Sequence, residues 1–172
     1  MRKIILIKFK PNHLFISALF LLILSSVLPT SALNRDLSFS PRSPSGEEVK
    51  GNQWLFVIGI NSYINWPRLK TAVNDAKAVK DVLLERYYFN KSHVIELYDE
   101  NATEKNIIKK LRHLAKNVKS DDSLLIYYAG HGYIDPITKE GKWIPVESGI
   151  QDTSSWISNH DIKNYLRIDV IK

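Results

Sequence analysis

The sequence predicts an α/β domain built on a parallel β-sheet that is covered by helices. Apolar runs suited to buried strands alternate with stretches whose apolar residues recur every three or four positions, which is the helical period. The joints between these segments are short, as in βαβ units. Right-handed crossovers would then place the carboxyl ends of all the strands along one edge of the sheet.

The first half of this pattern consists of two strands and the helix between them. The strand Trp54 to Ile60 leads into a loop, Asn61 to Pro67, that is rich in Asn, Ser and Pro. The helix is expected to start near Leu69, and His93 to Tyr98 is a shorter strand. One stripe along the helix is formed by Leu69, Ala72, Val73, Ala76, Val79, Val82, Leu83 and Tyr87.

The second half repeats the pattern and leads to a histidine. Thr103 is a favourable N-cap for a second helix. The residues expected to be buried on this helix are Ile107, Ile108, Leu111, Leu114, Ala115 and Val118. The strand Leu124 to Ala129 is a continuous apolar run, typical of a central parallel strand that is covered on both faces. It ends in the tripeptide Gly130-His131-Gly132.

The chain beyond His131 is predicted to be largely irregular. Trp143 to Val146 is expected to be a short extended piece, which Pro145 restricts to a sheet edge. Ser158 and Asp161 have the spacing of a capping box, so a third helix should run from Ser158 to about Leu166. A parallel α/β fold would place another strand next, and the domain is therefore expected to be incomplete at its carboxyl end.

The composition of the 172 residues suits one globular domain and excludes several functions. Residues 1–32 contain four of the 24 basic residues and no acid, which leaves 20 basic against 18 acidic residues elsewhere. This balance argues against nucleic-acid binding. The absence of cysteine excludes a disulfide scaffold, a thiolate metal site and a resident cysteine nucleophile.

The amino terminus has the layout of a targeting segment. Met1 to Ala32 combines a basic start, an apolar stretch from Leu14 to Leu28, and small residues before a cleavage position. A cleaved signal peptide is expected, with an uncleaved anchor as the alternative and the only link to a membrane. Leu33 to Gly51 is interpreted as a linker, which leaves residues 52–172 as the domain. The domain is expected to be exported to a periplasmic or extracellular location.

His131 is the candidate functional residue, because ligands of open α/β sheets bind beyond the carboxyl ends of the strands. An imidazole is a side chain suited to general acid–base chemistry, although on position alone a structural turn histidine is the default interpretation. His93, His113 and His160 form no tight ligand pair, so no metal site is expected. Trp66, Tyr127 and Tyr128 are interpreted as packing residues.

Four segments resemble the large-subunit half of the caspase and metacaspase family, bacterial caspase-like peptidases above all. They are Trp54 to Tyr63, Leu69 to Ala76, Leu124 to Gly132 and Trp143 to Val146. The resemblance covers about Trp54 to Leu166. It implies a three-layer caspase-like (caspase-haemoglobinase) fold and endopeptidase chemistry by a Cys–His dyad.

The resemblance also implies roles for individual residues. His131 matches the catalytic histidine, and the backbone N–H of Gly132 matches a donor to the oxyanion. The family's cysteine lies about 50 residues after its histidine. Only 41 residues follow His131 (172 minus 131), so the nucleophile is expected outside this chain, in a missing carboxyl-terminal half.

The substrate is expected to be a peptide or protein, cleaved after Arg or Lys. Asp75 matches a carboxylate that holds such a side chain, although a helix first-turn acid is the ordinary alternative. Arg68 lies where true caspases hold an Asp side chain, although a solvated loop arginine is the simpler interpretation. No cofactor is expected, and a calcium requirement is left open.

Two other functions stay open at this stage. One is a catalytically dead caspase-like module that binds peptides or partner proteins. The other is an unrelated doubly wound ligand-binding domain, in which His131 has no chemical role.

Overall fold

The main β-sheet of the protein is parallel and has four strands. The structure, a computed structural model, describes residues 3–8, 51–87 and 89–166, which all belong to one compact unit. The strand order is β1-β4-β2-β3. The strands are β1 (Lys3–Lys8), β2 (Gln53–Gly59), β3 (Val94–Tyr98) and β4 (Ser123–Ala129).

Helices cover both faces of this sheet, which gives three layers. They are α1 (Ala72–Arg86), α2 (Glu104–Asn117) and α3 (Asn159–Leu166). Side chains of a strand point alternately to the two faces. Leu55 and Val57 of β2 pack with α1, whereas Phe56 and Ile58 pack in the cluster that contains α2 and α3. Because both faces are buried, β2 and β4 read as continuous apolar runs, and the predicted fold class is confirmed.

The prediction for α1 is correct in type and wrong at its start. The helix begins at Ala72, not near Leu69, because Leu69 lies in the preceding loop and donates its N–H to the Asn61 carbonyl. Only the amino-terminal part of the stripe is buried, where the helix lies against Gly59. A Cβ at Gly59 would lie 2.9 Å from the Ala76 side chain, so this close packing requires glycine. Val82, further along, is exposed.

The ends of α2 and α3 confirm the predicted caps. Thr103 Oγ1 accepts the Asn106 N–H at 3.2 Å. Ser158 and Asp161 form the reciprocal capping box, with the Asp161 N–H on Ser158 Oγ and the Ser158 N–H on Asp161 Oδ2. Of the predicted core positions on α2 and just after it, Ile107, Leu111, Leu114 and Val118 are buried, and Ile108 and Ala115 are half-buried.

The segment after His131 is more regular than predicted. It forms an antiparallel sheet in the order β5-β6-β7, from β5 (Gly132–Ile134), β6 (Gly141–Trp143) and β7 (Ile157–Ser158). The expected edge role of Trp143 to Val146 is therefore wrong, since β6 is the central strand and ends before Pro145. The hairpin is closed by Asp135, whose carboxylate accepts the N–H groups of Ile137 and Thr138.

Residues 1–32, predicted to lie outside the folded domain, contribute six residues to the main sheet. Strand β1 pairs in parallel with β4, from Lys3 opposite Ser123 to Lys8 opposite Tyr128. The rest of the predicted targeting segment and the linker up to residue 50 lie outside the described residues. Within residues 3–8, 51–87 and 89–166, no helix has both the length and the apolar character needed to cross a bilayer.

Asp122, at the start of β4, joins the amino ends of β2 and β4. Its buried carboxylate accepts the Asn52 N–H at 2.7 Å, Trp54 Nε1–H at 3.0 Å and the Lys119 N–H at 3.0 Å. Burial acts to raise the pKa of Asp122, but these hydrogen bonds outweigh it and hold the pKa below its usual value. The ionised form therefore stabilises the fold.

We predict that Asp122→Asn lowers the free energy of unfolding by about 2 kcal/mol, because the amide cannot accept all three hydrogen bonds. The contribution of Asp122 is complete above its unfolded-state pKa, near 4, and is lost as pH falls through the lower folded-state pKa. Urea unfolding at pH 7 and pH 3 measures this. The difference between wild type and variant should shrink at pH 3, and exposed Asp121→Asn serves as the control. An equal difference at both pH values would contradict the role of the charge.

Candidate active site at the carboxyl edge of the sheet

His131 and the loop Asn61–Pro67 lie at the same edge of the main sheet. His131 follows β4, and the loop follows β2, which pairs with β4 in parallel as far as Gly59 opposite Ala129. The two segments are further joined by the hydrogen bond from the Ile60 N–H to the Ala129 carbonyl, at 2.9 Å. The loop and His131 therefore lie together, as expected for segments that follow neighbouring parallel strands.

The imidazole of His131 is held by a backbone carbonyl. Its Nε2 lies 2.8 Å from the Pro67 carbonyl oxygen. A carbonyl oxygen can only accept a hydrogen bond, so Nε2 carries the proton, and Nδ1 of the neutral ring carries the lone pair. The ring lies 4.7 Å from the ring of Tyr63 and 5.3 Å from that of Trp66, between centroids. His131 is only half-buried, so it is accessible as a base.

The backbone of His131 is held by two tyrosine hydroxyls. The His131 N–H donates to Tyr63 Oη at 2.7 Å, and Tyr128 Oη donates to the His131 carbonyl at 2.7 Å. Tyr128 also stacks on Trp143, with 4.7 Å between ring centroids. The predicted packing role of Tyr128 therefore applies to its ring, and its hydroxyl has the additional role of a hydrogen-bond donor to His131. A buried tyrosine hydroxyl usually has a hydrogen-bond partner. The position of Tyr128 in a predicted buried strand was therefore the feature of the sequence that could have indicated such a contact.

Asp99, directly after β3, anchors the loop that carries Pro67. Its Oδ1 accepts the N–H groups of Asn61 at 2.7 Å and Ser62 at 2.8 Å. The Asn61 side chain in turn accepts the Val73 N–H, at the first turn of α1. Asp99 has a φ of 42°, a left-handed conformation that Asp tolerates better than most residues. Sequence reasoning did not identify this residue as part of the site.

Gly132 starts β5, opposite Trp143 of β6. Opposite residues of an antiparallel pair alternate between hydrogen-bonded and non-hydrogen-bonded pairs. His131 and Ile144, the preceding opposite pair, share a hydrogen bond of 3.1 Å from the Ile144 N–H to the His131 carbonyl. Gly132 and Trp143 therefore form the non-bonded pair, and the exposed Gly132 N–H points away from β6.

Of the two predicted substrate-binding residues, Arg68 contacts the loop and Asp75 lies on α1. Asp75 is exposed in the first turn of α1. Burial, with the Asp75 carboxylate nearby, raises the pKa of Tyr127, which places Asp75 on the α1 side of the sheet. Arg68 is exposed, and its guanidinium donates to Ser62 Oγ at 3.0 Å within the same loop. The structure thus brings Arg68 to the loop that anchors His131, and Asp75 to the helix that follows it.

The other histidines in the described part of the chain are His93, His113 and His160. The ring of His93 lies 4.5 Å from that of Trp54, and His113 flanks Trp54 at 6.4 Å, between centroids. His160 is exposed at the start of α3. Among the described residues, His, Asp and Glu side chains do not come together in groups of three or more that could hold a metal ion.

An acidic pair lies behind the loop, at the start of α2. Glu147 Oε1 accepts the Glu104 N–H at 2.9 Å, and Asn65 of the loop donates to the Glu147 carbonyl at 2.8 Å. Burial raises the pKa of Glu104, and the carboxylates of Glu147, Asp152 and Asp161 act in the same direction. These carboxylates therefore make the electrostatic potential negative at Glu104.

Fold and site together define an α/β domain that orients a histidine base at the carboxyl edge of its parallel sheet. A family model described as the metacaspase, peptidase C14 domain matches residues 55–164. The chain belongs to this metacaspase family, and the resemblance seen in the sequence is confirmed.

Individual relatives agree with this assignment. Metacaspase-1 of Eremothecium gossypii is 30% identical over 91 residues, which cover 49% of this chain and 20% of that protein. Metacaspase-1B of Aspergillus clavatus is 30% identical over 117 residues, covering 61% and 28%. Metacaspase-6 of Arabidopsis thaliana is 32% identical over 105 residues, covering 58% and 26%. The chain thus spans well under a third of these relatives, and their full activity is not transferred by the match.

A solved structure with the same fold is protein GSU0716 from Geobacter sulfurreducens. Its TM-score is 0.53, and the match covers 67% of this chain and 45% of that chain. The sequences are 18% identical, so the likeness shows the fold alone.

We predict that Asp99→Ala loosens the loop that presents the Pro67 carbonyl. Hydrogen bonds to a charged acceptor contribute about 1.5–3 kcal/mol, so amide hydrogen exchange at Asn61 and Ser62 should accelerate about tenfold or more. Exchange measured by NMR tests this, with the exposed neighbour Glu100→Ala as the control. Unchanged protection of both amides in Asp99→Ala would contradict the anchoring role.

Proposed function

We propose that this chain provides the histidine half of a caspase-like cysteine endopeptidase site. The observation that carries the proposal is the orientation of His131 by the Pro67 carbonyl, at the carboxyl edge of a metacaspase-family sheet. That bond leaves Nδ1 as the base.

In the proposed reaction, Nδ1 of His131 accepts the proton of a cysteine thiol, and the thiolate attacks the peptide carbonyl. The Gly132 N–H, which points away from β6, donates to the oxyanion that forms. The protonated imidazole then gives its proton to the leaving amine, and water releases the acyl group from sulfur. The Nε2–H bond to the Pro67 carbonyl persists through both protonation states and keeps the ring in place.

The sulfur is proposed to come from polypeptide outside these 172 residues, since they contain no cysteine. The coverage of the relatives supports this, because the matched region corresponds to 20–28% of their length. The proposed partner is thus a carboxyl-terminal half, continuous with this chain or separate from it.

The proposed substrates are peptides or proteins cut after Arg or Lys. Two features support this preference: the exposed Asp75 carboxylate in the first turn of α1, and the acidic residues Glu104 and Glu147 beside the loop. Arg68 is the residue that would favour an acidic side chain instead. Its guanidinium is partly committed to Ser62 Oγ, which favours the basic preference.

The location and cofactors of the protein are also proposals. The amino-terminal pattern supports export to a periplasmic or extracellular location, with attachment to a membrane through that segment only if it is not cleaved. We propose that hydrolysis needs no cofactor. Assays with and without EGTA test whether hydrolysis depends on calcium.

A second candidate function is a caspase-like interaction module without catalysis. The observation that favours it is the lack of cysteine in the chain. In that case, the orientation of His131 would serve binding, and supplying a cysteine-bearing segment would not produce turnover.

We predict that the 172-residue chain alone does not hydrolyse fluorogenic Arg or Lys peptides, because its base has no thiol to activate. The same chain extended by a metacaspase carboxyl-terminal segment that carries the cysteine should hydrolyse them. In this extended chain, His131→Ala should reduce kcat by about 10²- to 10⁴-fold. His160→Ala, in the exposed first turn of α3, is the control and should keep its activity. Turnover by the chain alone, or by the extended His131→Ala variant, would contradict the mechanism.

Asp75 is the test of substrate choice. In the extended chain, we predict that Asp75→Asn lowers kcat/KM for Arg peptides about tenfold or more, because a hydrogen-bonded charge is lost. Asp81→Asn, on the same helix, is the control. Equal kcat/KM values for wild type and Asp75→Asn would contradict the proposed role of Asp75 in substrate binding.

A further inference from the structure

Two buried tyrosine hydroxyls meet directly behind His131. Tyr63 Oη and Tyr128 Oη are 3.2 Å apart, and their side chains are 7% and 0% exposed. Burial raises the pKa of both hydroxyls far above the usual value for tyrosine. Both groups are therefore neutral, and each has one proton to donate.

The number of protons fixes the direction of each hydrogen bond. Tyr63 Oη receives the His131 N–H, and its own proton goes to Tyr128 Oη. Tyr128 Oη also receives the Ile144 N–H at 3.2 Å. The proton of Tyr128 Oη then goes to a carbonyl oxygen. The His131 carbonyl oxygen lies 2.7 Å from Tyr128 Oη, and the Ile144 carbonyl oxygen lies 3.0 Å from it.

These bonds form a closed ring around one residue. The ring runs from the His131 N–H to Tyr63, from Tyr63 to Tyr128, and from Tyr128 back to the His131 carbonyl. Hydrogen bonds in such a chain polarise and strengthen one another in a low-dielectric interior. Both backbone polar groups of His131 are thus fixed by side chains from two different elements, the loop after β2 and the strand β4.

Gly130 is a second, independent observation that points to the same pair. A Cβ at this position would lie 2.7 Å from Tyr128 Oη and closer still to Tyr63 Oη. The first glycine of Gly130-His131-Gly132 is therefore required by the space that the two hydroxyls occupy. A side chain here would separate the hydroxyls from His131.

We propose that the Tyr63–Tyr128 hydroxyl pair positions His131, fixing the backbone conformation from which Nε2 reaches the Pro67 carbonyl. Tyr63 and Tyr128 are positioning residues, since they act through His131 and touch no substrate. Tyr63 also belongs to the loop that carries Pro67, so one segment holds both the backbone and the ring of His131. The catalytic value of this arrangement depends on the proposed function, whereas its effect on the imidazole does not.

The test uses ¹⁵N NMR of histidine side chains in the full 172-residue chain, above the titration range of the imidazole. In wild type, we expect His131 to be mainly the Nε2–H tautomer. Tyr63→Phe removes one hydroxyl and keeps the ring, and it should lower the ratio of Nε2–H to Nδ1–H tautomer about fivefold, the weight of one hydrogen bond. Tyr128→Phe and Gly130→Ala should act in the same direction. The amide exchange of His131 should accelerate in each variant.

Tyr133→Phe is the matched control, because Tyr133 lies two residues from His131 and its ring contacts Trp156 at 5.0 Å. This variant should leave the tautomer ratio unchanged, and the other histidines serve as internal references. A folded Tyr63→Phe chain with the wild-type ratio would overturn the proposal. If none of the three variants folds, the wild-type chain provides the test. A predominant Nδ1–H tautomer of His131, or rapid exchange of its backbone amide, would also overturn the proposal.

The outcome separates this proposal from the proposed function. A shifted tautomer together with an inactive extended chain would reject the peptidase and keep the positioning role. An active extended chain with an unshifted tautomer would do the reverse.

Discussion

Strands β2 and β4 run side by side in the same direction, from Gln53 opposite Ser123 to Gly59 opposite Ala129. Parallel pairing brings the segments that follow the two strands to one edge, and here those segments are the loop Asn61–Pro67 and the turn of His131. Asp122 fixes the other end of the same pair. If the register of this pairing changed by one residue, inward and outward side chains would exchange faces. The hydroxyl of Tyr128 would then no longer face Tyr63.

The parts of the fold that the sequence predicted are those in which local pattern and burial coincide. Strand β4 is buried on both faces, so it appears as an apolar run, and α2 has a cap and a regular stripe. The antiparallel sheet after His131 was missed because its strands are very short and its hairpin depends on one side chain, Asp135. The start of α1 was missed because the side chain and carbonyl of Asn61, eleven residues before Ala72, define it.

The candidate site was only half predictable, for a chemical reason. His131 lies between two glycines at the end of a strand, so its position in the sequence was enough to select it as a candidate. Its partners are a backbone carbonyl and tyrosine hydroxyls from distant parts of the chain. A carbonyl such as that of Pro67 has no sequence signature, and Tyr63 and Asp99 acquire their roles only when β2, β3 and β4 have been assembled. Family resemblance suggested the role that we propose for His131, and the structure shows the groups that orient it.

Strand β1 has a consequence for any polypeptide that joins this sheet. In the uncleaved chain, the outer edge of β4 is hydrogen-bonded to Lys3–Lys8, so its backbone donors and acceptors on that side are occupied. Another strand could extend the sheet next to β4 only by taking the place of these amino-terminal residues. As long as the amino-terminal segment is not cleaved, Lys3–Lys8 and any strand from a carboxyl-terminal half would therefore compete for the same edge of β4.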